Sequence, residues 1–343
     1  MRNGGLIVGT RPDVEFAFFA APAMSPSLIE RARHKLRTWN RQWQLRSLRG
    51  RMHVDPADAL LIFSQPRGGS TWLEEMVRTL PRTATIWEPL DLLNNPPFQR
   101  IGFWWRQYIP EDASWPEAEA LFADLFAGRM LSPYLTRTSS IGELRAADRL
   151  VVKFVRGELL LPWLVRRFDL PRPVLLVRHP CAVVGSMIKF KAWEGHPLRI
   201  GTFPHPHQEF IESHRALLDA VRTPEERQAA MWCITTGHLL KHPDNDRLWT
   251  TITYEELVLR TKDTLAKVFG AWGLDVPAAA LEHARRPSGT TLAGSQVHDP
   301  TAQLTSWQRT MAPEKIEAVL GMLDRSGIDL YGPDPMPRRT YTP

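Results

Sequence analysis

The stretch that most constrains this chain runs from residue 59 to residue 77. Ala59-Leu60-Leu61-Ile62-Phe63 is an unbroken apolar run, followed at once by Ser64-Gln65-Pro66-Arg67-Gly68-Gly69-Ser70-Thr71. Five apolar residues without polar alternation suit a strand buried on both faces, since a strand with one wet face alternates. Beyond the turn, Trp72, Leu73, Met76 and Val77 share one face at helical spacing. Strand, glycine-rich turn and helix make half of a βαβ unit. Covering such a strand needs further parallel strands beside it and helices above and below. The chain supplies both. Leu150–Val155 and Pro173–Val177 read as strands, followed by helices over Leu159–Phe168 and Ala182–Phe190. Thr83–Trp87 and Leu248–Thr253 add strands, and Glu225–His242 and Glu255–Trp272 add helices. The expected fold is α/β, three-layered, with a mostly parallel sheet and helices on both faces. Residues 95–148 read as helices and loops over one edge of the core.

A chain of 343 residues fits two ordinary domains or one large α/β domain with insertions. The organisation expected is a basic helical extension over 1–57, one main domain over 58–333 and a proline-rich tail over 334–343. Hydrophobic residues make up 43% and charged residues 23%, which excludes a disordered chain, a collagen or a coiled-coil rod. The net charge of +6 suits an anionic ligand but also an ordinary basic surface, and it gives no signature of nucleic-acid binding. Cys181 and Cys233, the two cysteines, form neither a disulfide framework nor a zinc ligand set. No run approaches the roughly 20 apolar residues of a membrane span. The apolar patch Phe16–Met24 follows Asp13 and Glu15, poor context for a signal peptide. A cytoplasmic protein is expected. Its one route to a membrane surface is the basic helix, where Arg31, Arg33, Lys35, Arg37, Arg41, Arg46 and Arg49 stand against Glu30. A solvated helix packed on the main domain is the plainer reading of that segment.

Chemistry first shows in the turn. Gly68 and Gly69 let the backbone N–H groups turn inward, and the following helix offers its open N-terminal donors and positive dipole end. Together they form an anion cradle, to which Ser70 and Thr71 add hydroxyls and Arg67 a fixed positive fork. A tight strand-to-helix turn with a hydroxyl cap is the plain alternative. The turn lacks G-x-x-x-x-G-K-[ST], so no lysine reaches between β- and γ-phosphates, which counts against a P-loop phosphotransferase. It also lacks the G-x-G-x-x-G of dinucleotide sites.

Pro66-Arg67-Gly68-Gly69-Ser70-Thr71-Trp72-Leu73 resembles the 5′-phosphosulfate loop of sulfotransferases that use 3′-phosphoadenosine 5′-phosphosulfate (PAPS). The second half of that family's signature is similar to Val174–Val177 followed by Arg178-His179-Pro180 and by Ser186, eight residues after the arginine. His179 stands where aspartate is more frequent. The two motifs lie in the family's order, about 110 residues apart, each after an apolar strand. Ile252-Thr253-Tyr254-Glu255-Glu256-Leu257 resembles the segment near the adenine, and the region around Trp307 resembles the C-terminal portion more weakly. The Arg-Lys-Gly loop of cytosolic members is not legible; Arg285-Arg286-Pro287-Ser288-Gly289 is the nearest basic run.

The resemblance implies a P-loop nucleotide-hydrolase-like sulfotransferase fold. It implies in-line sulfuryl transfer from PAPS to an acceptor hydroxyl or amine, releasing adenosine 3′,5′-bisphosphate (PAP) and requiring no metal. Arg67, Gly68, Gly69, Ser70, Thr71, Trp72, Arg178, Ser186 and Tyr254 are the expected donor-binding residues. Glu88, at the end of the second strand and followed by Pro89, is the expected general base. Lys153, a charge inside an apolar strand, is expected to stabilise the leaving phosphate oxygen; a strand-end lysine reaching water is the alternative. A histidine base would come from an irregular lid over Gly195–His214, which carries His196, Arg199, His205 and His207. His205 and His207 also have metal-ligand spacing, but no carboxylate or cysteine completes a set. Glu88-Pro89 resembles the glutamate-proline of carbohydrate-type members, and that resemblance implies a carbohydrate or glycoconjugate acceptor over a small phenol or alcohol. Trp104, Trp105 and Trp115 suit sugar faces or core packing.

Overall fold

The computed structural model describes residues 28–48, 50, 52, 54–190, 207–289 and 300–341. Five strands form one parallel sheet: β1 (Ala59–Ser64), β2 (Thr83–Trp87), β3 (Arg149–Val155), β4 (Val174–Val177) and β5 (Thr250–Thr253). Their order across the sheet is β2-β3-β1-β4-β5. From β1 the chain passes outward to β2, returns to β3 beside β1, then crosses to β4 on the other flank. That reversal opens a crevice beyond the carboxyl ends of β3, β1 and β4, where α/β sheets bind ligands.

Every residue of β1, β2, β4 and β5 is buried, which accounts for the continuous apolar reading of β1 and β4. Leu61, Phe63, Val152, Phe154, Leu175 and Val177 face one layer, shared with the helix Pro224–Leu240 and with Phe122 and Trp163. Leu60, Ile62, Val151, Val174, Leu176 and Ile252 face the other, packed on Leu73, Met76, Leu265 and Phe269. The α/β three-layer arrangement is the one expected. The basic helix Leu28–Leu48 lies against the main body: Leu45 and Leu48 are buried in the first layer, and the Arg41 guanidinium donates to the carbonyls of Thr136 and Ser139 at 2.7 and 2.6 Å.

Two elements differ from the sequence reading. The single helix expected over Glu255–Trp272 is two, Tyr254–Leu259 and Thr261–Ala271, broken at Arg260 (φ −126°, ψ 47°). The Thr261 hydroxyl donates back to the Leu257 carbonyl at 2.8 Å, a local bond that competes with the helix ladder. Of the expected irregular lid, His207–Glu212 is helical and Ser213 and His214 form a turn; its residues 195–206, with His196, Arg199 and His205, lie outside the described residues.

Candidate active site

The glycine turn is fixed by its neighbours. Gly69 sits at φ 95° as the residue before the helix Ser70–Val77, and a Cβ there would lie 2.4 Å from the Tyr254 ring. A Cβ on Gly68 would lie 2.2 Å from the Ser64 hydroxyl oxygen and 2.9 Å from the Gln65 carbonyl. Only glycine fits either position. No side chain caps the helix; the Trp72 N–H donates to the Gly69 carbonyl at 3.1 Å, and the Ser70 and Thr71 N–H groups stay open toward the crevice.

The two distant motifs close on each other there. The Arg67 guanidinium donates from Nε to Ser186 Oγ at 3.0 Å and lies over the Phe190 ring at 4.1 Å. Arg178 donates from Nη1 to the Arg67 carbonyl at 3.1 Å and lies over the Tyr254 ring at 4.3 Å. Its Nε is buried without a hydrogen-bond acceptor. Burial and the neighbouring Arg178 charge pull the Arg67 guanidinium below its ordinary value. Two guanidiniums, a hydroxyl and open helix donors facing one crevice form a cradle for phosphate-type oxyanions. Tyr254 walls it and meets Trp72 edge-on at 5.9 Å.

His179 holds the second motif rigidly. Its Nδ1 accepts from the Cys181 N–H at 3.2 Å, capping the helix Pro180–Lys189, and its Nε2 lies 2.9 Å from the Gly332 carbonyl. That pairing assigns the neutral Nε2–H tautomer. Burial pushes its pKa down to about 4, and the ring stacks on Trp307 at 4.5 Å.

The second half of the crevice centres on Lys153. It is paired in register with Ile62 of β1 and Trp87 of β2, so its side chain lies under the helix Ser70–Val77. It is fully buried, which excludes the alternative of a lysine reaching water. Its Nζ donates to Thr71 Oγ1 at 3.1 Å, lies 3.5 Å from Glu88 Oε1 and 3.8 Å from Glu74 Oε2, and sits over the Trp87 ring at 2.9 Å. Burial brings its pKa down to about 8, opposed by Glu88 first and Glu74 second. Burial raises the Glu74 carboxyl, opposed chiefly by Lys153. Glu88 keeps φ 39°, and its N–H donates to the Lys153 carbonyl at 3.1 Å. Arg67 (φ 66°), Glu88 and Arg156 (φ 70°), each just past a strand, all hold left-handed backbone that non-glycine residues rarely adopt. Strain of this kind, on the order of 1–3 kcal/mol per residue, gathers where ligands are held.

The expected residues thus fall into one crevice: Arg67 to Trp72, Arg178, Ser186 and Tyr254 on one side, Glu88 and Lys153 on the other. Of the lid histidines, His207 is described. It is buried, its Nδ1 accepts from the Tyr108 N–H at 3.0 Å, and burial lowers its pKa to about 4. Arg285 and Arg286 are exposed, in a segment whose Gly289 N–H donates to Glu75 at 3.1 Å. Trp115 packs on Phe103 at 5.0 Å, and Trp105 lies 5.2 Å from the Arg156 guanidinium. Sequence reasoning missed Glu74; its signal is the three-residue spacing from Thr71, which puts both on one helix face. Glu111, His242 and Asp244 also bring ligand-type atoms within 4.8 Å of one another. Arg166 pairs with both carboxylates there, and Arg247 with Asp244, so the cluster is an ion-pair network.

No protein-family model matches the sequence, and no curated protein matches it. Among solved structures, the chain is similar to the sulfotransferase domain of the Synechococcus PCC 7002 olefin synthase. Identity is 18% over 81% of this chain and 98% of that one, with a TM-score of 0.42. The sulfotransferase domain of the curacin biosynthetic pathway aligns at 17% identity over 79% and 98%, with a TM-score of 0.40. The mouse sulfotransferase SULT7A1 complexed with PAP aligns at 14% identity over 83% and 90%, with a TM-score of 0.41. Such distant likeness leaves the function to be argued from the chain's own side chains. Among the described residues, no helix is long and apolar enough to cross a membrane.

Proposed function

We propose that this chain is a sulfotransferase that moves the sulfuryl group of PAPS to an acceptor hydroxyl, with a carbohydrate or glycoconjugate as the acceptor class. The observation that carries this reading is the contact of Arg67 with Ser186 at 3.0 Å, joined by Arg178 on the Arg67 carbonyl. Two segments more than 100 residues apart in sequence meet as one oxyanion cradle, with an orphaned buried Arg178 Nε beside it. The glycine turn packs on Ser64 and Tyr254 too closely for any Cβ, which fixes the backbone that leads into the open helix N-terminus.

In this reading Arg67, the first-turn N–H groups, Ser70 and Thr71 hold the 5′-phosphosulfate. Arg178 and Ser186 hold the 3′-phosphate, and Tyr254 and Trp72 wall the nucleotide. Glu88 takes the proton from the acceptor hydroxyl as its oxygen bonds to sulfur. Lys153 meets the charge that gathers on the phosphate oxygen as the sulfur–oxygen bond to it breaks. Glu74 and Thr71 position that lysine. The direct test is transfer of ³⁵S from labelled PAPS to a panel of glycosides, alcohols and phenols, read by chromatography. Labelled glycoside product without added magnesium supports the proposal. Absence of PAP binding in calorimetry would overturn it, and magnesium-dependent transfer from ATP would replace it with the phosphotransferase alternative.

A further inference from the structure

One charged cluster in the crevice has no part in the donor cradle. It begins at Gln65, the residue before the proline that opens the glycine turn. Gln65 Oε1 accepts from Arg106 Nη1 at 2.9 Å, and Gln65 Nε2 donates to Thr235 Oγ1 and, at 3.2 Å, to Thr236 Oγ1. Arg106 therefore lies at the carboxyl end of β1, between the donor turn and the helix Pro224–Leu240. Arg156 stands beside it past the end of β3, since Ser64 and Val155 are paired in register. Arg227 completes the group from that helix. Thr235 is eight residues, or about 12 Å of helix, further along and about 80° around it.

Among the described residues, positive charge dominates the cluster. Those that act electrostatically on Arg106 are one carboxylate, Glu158, and two guanidiniums, Arg156 and Arg227. Glu158 is 1% exposed and neither of its oxygens has a hydrogen-bond partner. Arg227 is half-buried, its Nε is buried without an acceptor, and among the described residues it pairs with no carboxylate. A half-buried charge without counter-charge destabilises a fold, and a chain retains it where a ligand supplies the missing charge.

We propose that Arg106, Arg156 and Arg227 bind an oxyanion carried by the acceptor, which makes the acceptor an anionic molecule such as an acidic or already substituted sugar. The word acceptor rests on the transferase reading above; the anion site itself does not. Arg156 lies against Trp105, so a ring bearing the oxyanion meets both a guanidinium and an aromatic edge.

Calorimetric titration of inorganic sulfate into wild type, Arg227→Ala and Arg67→Ala tests this. The Arg227 side chain makes no hydrogen bond among the described residues, so Arg227→Ala is expected to keep the wild-type melting temperature or exceed it. The proposal expects a sulfate site that weakens at least tenfold in Arg227→Ala and persists in Arg67→Ala. Competition by acetate, methyl sulfate and methyl phosphate then tells a carboxylate from a sulfate or phosphate ester. No sulfate binding, or binding that Arg227→Ala leaves unchanged, overturns it. Titration with PAP reports separately. PAP binding without the sulfate site leaves the donor reading standing alone, and the sulfate site without PAP binding leaves an anion-binding protein of another reaction.

Discussion

The two halves of the crevice are built by different means. On the donor side, Arg67, Gly68, Gly69, Arg178 and Ser186 come from two short segments, each a strand end running straight into a helix. Their backbone supplies much of the recognition through open N–H groups, a positive-φ glycine and a histidine cap. On the other side, Glu88, Lys153 and Glu74 come singly from the end of β2, from β3 and from a helix. They meet only because β3 inserts between β1 and β2. In the proposed reading the first side recognises the phosphates of PAPS and the other manages charge that moves during reaction; there one ammonium is buried between two carboxylates.

This contrast breaks most visibly in turnover. Glu88→Gln and Lys153→Ala are each expected to lower kcat about 10²–10⁴-fold, the usual loss of a group acting in proton transfer or charge stabilisation. Both should leave PAP affinity within a few-fold of wild type. Pre-steady-state transfer of ³⁵S and calorimetry with PAP check the pair. A Glu88→Gln protein that retains full kcat would move the base elsewhere, with His196 and His205 the next to substitute.

Acid stability sharpens the comparison next, because the first half contains a histidine held neutral by burial and a second such histidine lies outside the crevice. His179 beside Arg178 and His207 against Tyr108 both have pKa values near 4 in the fold, against an unfolded value near 6.5. The unfolded chain therefore binds more protons between pH 4 and 6.5. The stabilisation is complete above pH 6.5 and is lost as pH falls toward 4, by up to about 3 kcal/mol for each histidine. Melting temperature should hold steady from pH 7 to 8 and fall steeply from 6.5 to 4. His179→Asn, which keeps a capping side chain, should flatten that fall. An unchanged profile in the variant would show that His179 is not held neutral.

Donor affinity follows. In the proposed site Arg67→Ala and Arg178→Ala each remove a charge-assisted contact worth about 1.5–3 kcal/mol, so PAP should bind roughly 10- to 150-fold more weakly to either. A folded Arg67→Ala protein with wild-type affinity would take the glycine turn out of the donor site.

The same contrast governs what the sequence showed. The β1 turn and the Arg178–Ser186 segment are contiguous, and their glycines, proline and hydroxyls have local reasons to be there, so both were legible before any contact was known. Lys153 stood out as a charge in an apolar strand. Glu74 did not, because a glutamate in an amphipathic helix is ordinary until a buried lysine is placed opposite it. Arg106 and Arg227 were invisible for the same reason: an arginine in a loop or on a helix declares nothing until its surroundings are known. The break at Arg260 was missed because the apolar period runs through it, while the Thr261 hydroxyl that rivals the ladder is common in intact helices.

The smallest effect expected is also the one that tests the link between the halves. Lys153 spans them, donating to Thr71 of the donor helix while facing Glu88 of β2. In the proposed role it must be charged to meet the leaving phosphate oxygen, and its pKa of about 8 places its loss of charge just above neutrality. In the free enzyme, kcat/KM for PAPS at saturating acceptor should therefore have an alkaline limb near pH 8. Glu74 opposes that loss from 3.8 Å, so Glu74→Gln removes a charge that favours the ammonium. The limb should move to lower pH, by less than about one unit because Glu88 remains the stronger neighbour. In kcat the shift should be smaller, since bound donor phosphate adds its own negative charge beside the lysine. Lys153→Arg should remove the limb from this range entirely, whatever activity it retains. A limb that stays in place in Glu74→Gln, or that persists in Lys153→Arg, would assign the titration to a group other than Lys153.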